Sequence, residues 1–138
     1  MPLLSRKGIL AIAAVIDVAL NSSTRPVSAK ALASRHGLPP RHLEPVLQAL
    51  VHEGILRGVR GPRGGYELGR DQARITANEI LRAAGTVDDG FGNLSQGSSL
   101  VVTVVIPALE QVERAFATTL GAINLSDLVK RAEKADLG

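Results

Sequence analysis

Gly37-Leu38-Pro39-Pro40 constrains this chain more than any other stretch, because it closes one short helix pattern and opens another. Upstream, Ser28 can cap a helix over Ala29 to His36, and Gly37 stands where helices end in the left-handed conformation. Downstream, Pro40 fits a first helical position, where its missing N–H leaves no bond unmade. Leu43, Val46, Leu47 and Leu50 recur at i, i+3, i+4 and i+7, so one buried stripe runs to about His52-Glu53, where Gly54 ends it. Arg41, His42, Glu44, Gln48 and His52 fall outside that stripe. Two short helices joined by a tight glycine-containing turn, each with one buried face, form a helix-turn-helix pattern.

The next segment completes the unit. Ile55 to Val59 and Tyr66-Glu67-Leu68 read as strands of a hairpin whose tip is Gly61-Pro62-Arg63-Gly64. A helix-turn-helix followed by a hairpin is a winged helix, and "RGPRGGYEL" is its wing. The glycine-rich stretch is not a phosphate-binding P-loop, since it lacks the Gly-Lys-Ser/Thr end and precedes a strand instead of a helix. A tight turn with positive φ at Gly64 and Gly65 accounts for the glycines. It does not account for Arg60 and Arg63. Wings of this type lie along DNA, where arginine is drawn to phosphates and to a narrow minor groove.

Around this unit the sequence predicts further helices, giving a mainly α fold with a small β-hairpin. Ser5 to Leu20 is an alanine-rich helix with Ser5 as its N-cap and a wide apolar face, which suits a central core helix. Residues 21–26 form a loop. Thr76 and Glu79 make a capping-box pattern for a short helix that ends near Gly85. Residues 86–99, rich in glycine, hydroxyl and amide residues, read as a flexible loop. Beyond it, Val101, Val105, Leu109, Val112, Phe116, Leu120 and Ile123 form one helical seam. The β-branched run 101–106 is also strand-like; the downstream seam favours helix, which Pro107 kinks or starts. A helix over 100–123 would reach ~36 Å, too long for so small a domain to cover, and its seam is therefore the expected dimerisation surface. Ser126 is expected to cap a final helix. The resulting division is 1–85 for a winged helix-turn-helix DNA-binding domain, 86–99 for the loop, and 100–138 for a dimerisation helix and a C-terminal helix packing back.

Charge is divided along the chain. Residues 1–70 carry ten Lys/Arg against four acids, whereas residues 71–138 carry six against nine, so an anionic partner is expected for the first half only. With two Phe, one Tyr and no Trp, the core must be aliphatic. No cysteine is present, which excludes disulfides, thiolate metal sites and cysteine nucleophiles. His36, His42 and His52 lack metal-ligand spacing and read as surface or helix-end residues. No paired-carboxylate or Gly-x-Ser-x-Gly arrangement appears, so no enzyme, metal or cofactor is expected. The apolar run after Arg6-Lys7 resembles a secretory signal, but Asp17 interrupts it and no small-x-small cleavage site follows, so a cytoplasmic protein is expected.

The stretch "GLPPRHLEPVLQALVHEGILRGVRGPRGGYELGR" resembles the recognition helix and wing of the Rrf2 family of winged-helix regulators, the IscR, NsrR and CymR type. "SRKG", "IDVALN", "ITANEILRAA" and "INLSDLV" extend the resemblance over nearly the whole chain. It implies a homodimeric DNA-binding transcription regulator in which a long helix exchanges contacts between subunits. The expected DNA-contacting set is Lys7, Ser28, Lys30, Pro40, Arg41, His42, Glu44, Gln48, Arg60, Arg63, Gly64 and Gly65. Three departures stand out. The family's iron–sulfur sensors carry three cysteines in the segment matching 86–99, whereas this chain has none and instead offers only Asp88 and Asp89, a weak cation site. Pro45 replaces a polar residue often found after the matching Glu44, and Ile9-Leu10 replaces an Arg-Tyr pair. Without a cluster, regulation would come from a small-molecule effector between the wing domain and the long helix, or from protein abundance. The alternative function is a winged-helix module that binds protein instead of DNA.

Overall fold

The computed structural model describes residues 6–85 and 98–135. Ser5, most of the 86–99 loop and the Asp88-Asp89 pair therefore lie outside the described residues. Helix α1 spans Arg6–Asn21 and buries Ala11, Ala14, Val15, Asp17 and Val18, small or branched residues that let neighbouring helices approach closely. It packs against three other helices and one strand of the hairpin, as expected of a central helix.

Helices α2 (Ala29–His36) and α3 (Pro40–His52) have the boundaries read from sequence. The Ala31 amide donates to Ser28 Oγ at 3.0 Å, satisfying one of the first-turn donors of α2. Gly37 takes φ 65°, and the Leu38 amide closes the end of the helix on the Ala33 carbonyl at 2.9 Å. Leu43, Val46, Leu47 and Leu50 of α3 are all buried in the main core, with Leu32, Ile55, Leu56, Ile75, Ile80 and Leu125. The core is aliphatic, as the composition requires.

Strands β1 (Leu56–Val59) and β2 (Gly65–Leu68) pair antiparallel, with Leu56 opposite Leu68 and Val59 opposite Gly65. Arg57 and Glu67 lie directly opposite and form an ion pair across the hairpin. At the tip, Gly61 has φ 112° and accepts a turn bond from the Gly64 amide at 2.9 Å. The expected positive φ at Gly64 is not found. Gly64 is needed for space, because a Cβ there would fall on the Val59 carbonyl oxygen.

A 3₁₀ turn over Gln72–Arg74 leads to α4 (Ala77–Ala83), where the Glu79 amide donates to the Thr76 hydroxyl at 3.2 Å. Val101–Val105 forms a π-helical turn that runs directly into α5 (Ile106–Gly121). Proline cannot donate to the i−4 carbonyl and its ring crowds that carbonyl, so the widened turn falls where the helix must pass Pro107. Helix α6 (Leu125–Lys134) starts differently from expectation. Asn124, not Ser126, is its cap, with Oδ1 accepting from the Ser126 amide at 2.8 Å. The Asn124 Nδ2 meanwhile donates to the Ala73 carbonyl at 2.6 Å, a partner distant in sequence. Backbone bonds from Ala77 to Ile123 and from Leu125 to Ile75, 2.9 and 2.8 Å, complete this junction, and Leu125 and Val129 carry α6 into the core.

Candidate nucleic-acid interface

The outward face of α3 is set by the inward one. Because its leucine–valine stripe is buried, Arg41, His42, Glu44, Pro45 and Gln48 are all exposed. Pro40 and Pro39 leave the helix start without a side-chain cap. A pairing of Glu44 with Arg41 would have consumed both, yet neither forms an ion pair with any described residue. An arginine and a glutamate on one helical turn thus retain full donor and acceptor capacity. That capacity suits the edges of guanine and cytosine in a major groove.

The wing stands beside this helix. A groove of about 520 Å³ runs between them, lined among others by Gln48 from α3 and by Arg60, Gly61, Gly64, Gly65 and Tyr66 from the hairpin. Of the hairpin arginines, Arg57 is engaged by Glu67, whereas Arg60 and Arg63 are exposed and unpaired among the described residues. Gly65 admits close approach of another segment. A Cβ on it would fall on the Val27 carbonyl, and Val27 and Tyr66 exchange backbone bonds of 2.9 and 2.7 Å there.

The other expected contact residues line separate hollows or are exposed. Lys7 lines a hollow of about 480 Å³ with Arg6, Leu10, Arg41 and His42, which places the start of α1 beside the start of α3. Ser28 lies between α2 and the wing tip, lining a second cleft with Arg63 and Gly64. Lys30 is exposed in the first turn of α2. Two cations that the expected set omitted line these hollows, Arg6 beside Lys7 and Arg41, and Arg25 in the cleft with Ser28 and Arg63. Their positions follow from how α1 and the α1–α2 loop pack against α3 and the wing.

Sequence reasoning also missed what holds α2 in place. Asp17 is only 6% exposed, and Arg35 grips it with two hydrogen bonds, Nε to Oδ2 at 2.8 Å and Nη2 to Oδ1 at 2.6 Å. Asn21 Nδ2 donates to Oδ1 at 3.0 Å, and His36 Nε2 lies 3.0 Å from Oδ2. His36 is at a helix end, as expected, but the sequence did not indicate its partner. Burial pushes the Asp17 carboxyl up, yet the Arg35 and Asn21 hydrogen bonds, the Arg35 charge and the His36 contact together hold it below the ordinary value. The Asp17 hydrogen bond correspondingly raises Arg35. The end of α2 is thereby fixed to the middle of α1.

The expected dimerisation seam divides in two. Leu120 is buried with Ala77 and Leu81, and Phe116 and Ile123 pack against this small cluster. Val105, Leu109 and Val112 are 40%, 46% and 59% exposed, and Val101 is half-buried. Leu100, Val102 and Val104 extend the exposed apolar surface. The lower end of the seam thus belongs to the chain's own core, whereas the upper end has no cover among the described residues.

Comparison with known proteins agrees with this architecture. The Rrf2 family profile, described as an iron-dependent transcriptional regulator, matches residues 4–131. The HTH-type transcriptional regulator IscR of Xenorhabdus nematophila is 35% identical over 136 residues, covering 97% of this chain and 83% of that protein. IscR of Klebsiella pneumoniae strain 342 is 33% identical with the same coverage. Among solved structures, T. potens IscR superposes with a TM-score of 0.75 at 32% identity, covering 98% of this chain and 91% of that one. CymR of B. subtilis, a global cysteine regulator, gives 0.66 at 26% identity, covering 93% and 96%. The iron in the family description finds no matching donor set among the described residues. The sequence contains no cysteine, and the described residues include no group of three or more His, Asp or Glu able to hold a metal ion. No helix among the described residues is long and apolar enough to cross a membrane.

Proposed function

The chain belongs to the Rrf2 family of transcriptional regulators, and from that membership we propose that it is a cytoplasmic, sequence-specific DNA-binding repressor. It acts as a homodimer on a palindromic operator and carries no iron–sulfur cluster. One observation carries the reading. Arg41 and Glu44 on α3 and Arg60 and Arg63 on the wing are exposed and unpaired among the described residues, and a groove lined by Gln48, Arg60 and the wing glycines lies between helix and wing.

On this reading α3 enters the major groove. Arg41 donates to guanine O6 and N7, and Glu44 accepts from cytosine N4. Arg60 and Arg63 bind phosphates or the minor groove and supply affinity that is tolerant of sequence. The exposed residues of 100–112 meet a second copy, and two-fold symmetry then asks for half-sites about one helical turn apart, or a multiple of it. The absence of thiolates removes cluster ligation as a signal, leaving a small-molecule effector or protein abundance to set occupancy.

A gel shift with the DNA flanking the protein's own gene, repeated across salt concentrations, tests the proposal. Specific binding should survive competitor DNA and weaken steeply as salt rises. Failure to bind any flanking DNA at low salt would instead favour a protein-binding winged helix.

A further inference from the structure

The cleft between the α1–α2 loop and the wing tip contains cations that the recognition helix does not use. Its volume is about 480 Å³, and its lining includes Thr24, Arg25, Ser28, Arg35, Arg63 and Gly64. Three arginines and no carboxylate line it. Arg35 is engaged by Asp17, but Arg25 and Arg63 make no hydrogen bond or ion pair with any described residue. Ser28 Oγ accepts from the Ala31 amide, so its own proton is free to be donated, and Thr24 lines the same cleft. Such a lining offers donors and selects an anion.

We propose that Arg25 and Arg63 together clasp one phosphodiester of the DNA backbone, on the far side of the wing from the recognition helix. This deepens the DNA-binding reading and rests on it. Two features identify the occupant as a polyanion that continues past the site. Gly64 lines both this cleft and the groove between the wing and α3, so the two adjoin at the wing tip. Both arginines are exposed, which suits a ligand that runs across the surface better than a small acid sealed within it. The Val27–Tyr66 backbone bonds join the loop to the wing immediately after Arg25-Pro26, and Gly65 allows that approach.

A methylphosphonate scan of the operator tests the clasp, using the full chain. Each phosphate in turn is replaced by its neutral analogue, and affinity is measured for the wild type, Arg25→Ala, Arg63→Ala and the double variant. Wild type should lose about fivefold at one position flanking each half-site, near the upper end for an exposed ion pair. Each single variant should lose a similar factor on unmodified DNA, with the consensus unchanged. The double variant should lose less than the product of the single losses and become insensitive at the flanking position. An Arg25→Ala variant with wild-type affinity and scan profile would overturn the clasp while leaving DNA binding intact. Losses that multiply would also overturn it, by placing the two arginines on separate phosphates. A wild type that binds no DNA would overturn the DNA-binding reading, and the clasp with it.

Discussion

Replacing Arg35 with alanine removes both hydrogen bonds that its guanidinium makes to Asp17, leaving a carboxylate that is 6% exposed. Breaking a fully buried pair costs about 3–5 kcal/mol, mostly from the charge left behind. Here the cost is smaller, because the Arg35 side chain is 44% exposed and Asn21 and His36 remain within hydrogen-bonding distance of the carboxyl. Discounting for that exposure gives about 2 kcal/mol, or a fall in Tm of about 8 °C for a chain of this length. The penalty should depend on pH, and its sign follows from the direction of the Asp17 shift. In the wild type the carboxyl is held below its ordinary value, so its contribution is full above the unfolded pKa of ~3.9 and disappears as pH falls through the lower folded value. In Arg35→Ala the Arg35 hydrogen bonds and charge that lower the carboxyl are lost while burial remains, so it moves upward. Protonation then relieves the variant, so the gap to wild type should narrow as pH falls through and below ~4. Urea unfolding of both proteins from pH 7 to pH 3, at matched concentration because the proposed dimer would unfold concentration-dependently, measures the gap. Adding Asp17→Asn to Arg35→Ala should recover part of the loss. A gap of under about 0.5 kcal/mol at pH 7, or one that does not change with pH, would refute the assignment of Asp17 as a charge held by Arg35.

Glu44→Ala should cost ~1–3 kcal/mol of discrimination at one base pair per half-site and leave the rest of the consensus intact; operator selection with the variant reads this directly. Val112→Asp should yield folded monomers by sedimentation and abolish operator binding, since Val112 is 59% exposed and outside the chain's own core. Phe116→Asp, by contrast, should also lower Tm, because Phe116 packs against Ala77, Leu81 and Leu120. Gly65→Ala should release the wing from Val27, where its Cβ would strike the carbonyl, and circular dichroism with a gel shift should show a folded chain with weakened, less salt-dependent binding. Purified protein should remain colourless after anaerobic iron–sulfur reconstitution; a visible band accompanied by altered DNA affinity would contradict the cluster-free reading.

The sequence by itself determined the elements whose limits are chemical and local. Ser28, Gly37, Pro40 and Gly54 bound α2 and α3, and Thr76 and Gly85 bound α4, because a cap or a left-handed glycine acts within one turn of its own position. The aliphatic stripe of α3 and the glycine-rich wing were legible for the same reason, and with them the exposed face that carries Arg41, Glu44 and Gln48. What the tertiary structure decided involves partners far apart in the chain. Asp17 gains its charge partner eighteen residues away, Val27 pairs with Tyr66, and Asn124 displaces Ser126 as cap while also binding Ala73. Packing likewise split the 101–123 seam, since a period marks which residues share a face but not how much of that face α4 covers. Whether Arg41 and Glu44 pair was undecided for the same reason: a three-residue spacing permits the contact, and the side-chain conformations determine whether it forms. Local rules carry as far as hydrogen bonds along one segment reach. Contacts between segments depend on distances that exist only once the chain has closed on its core.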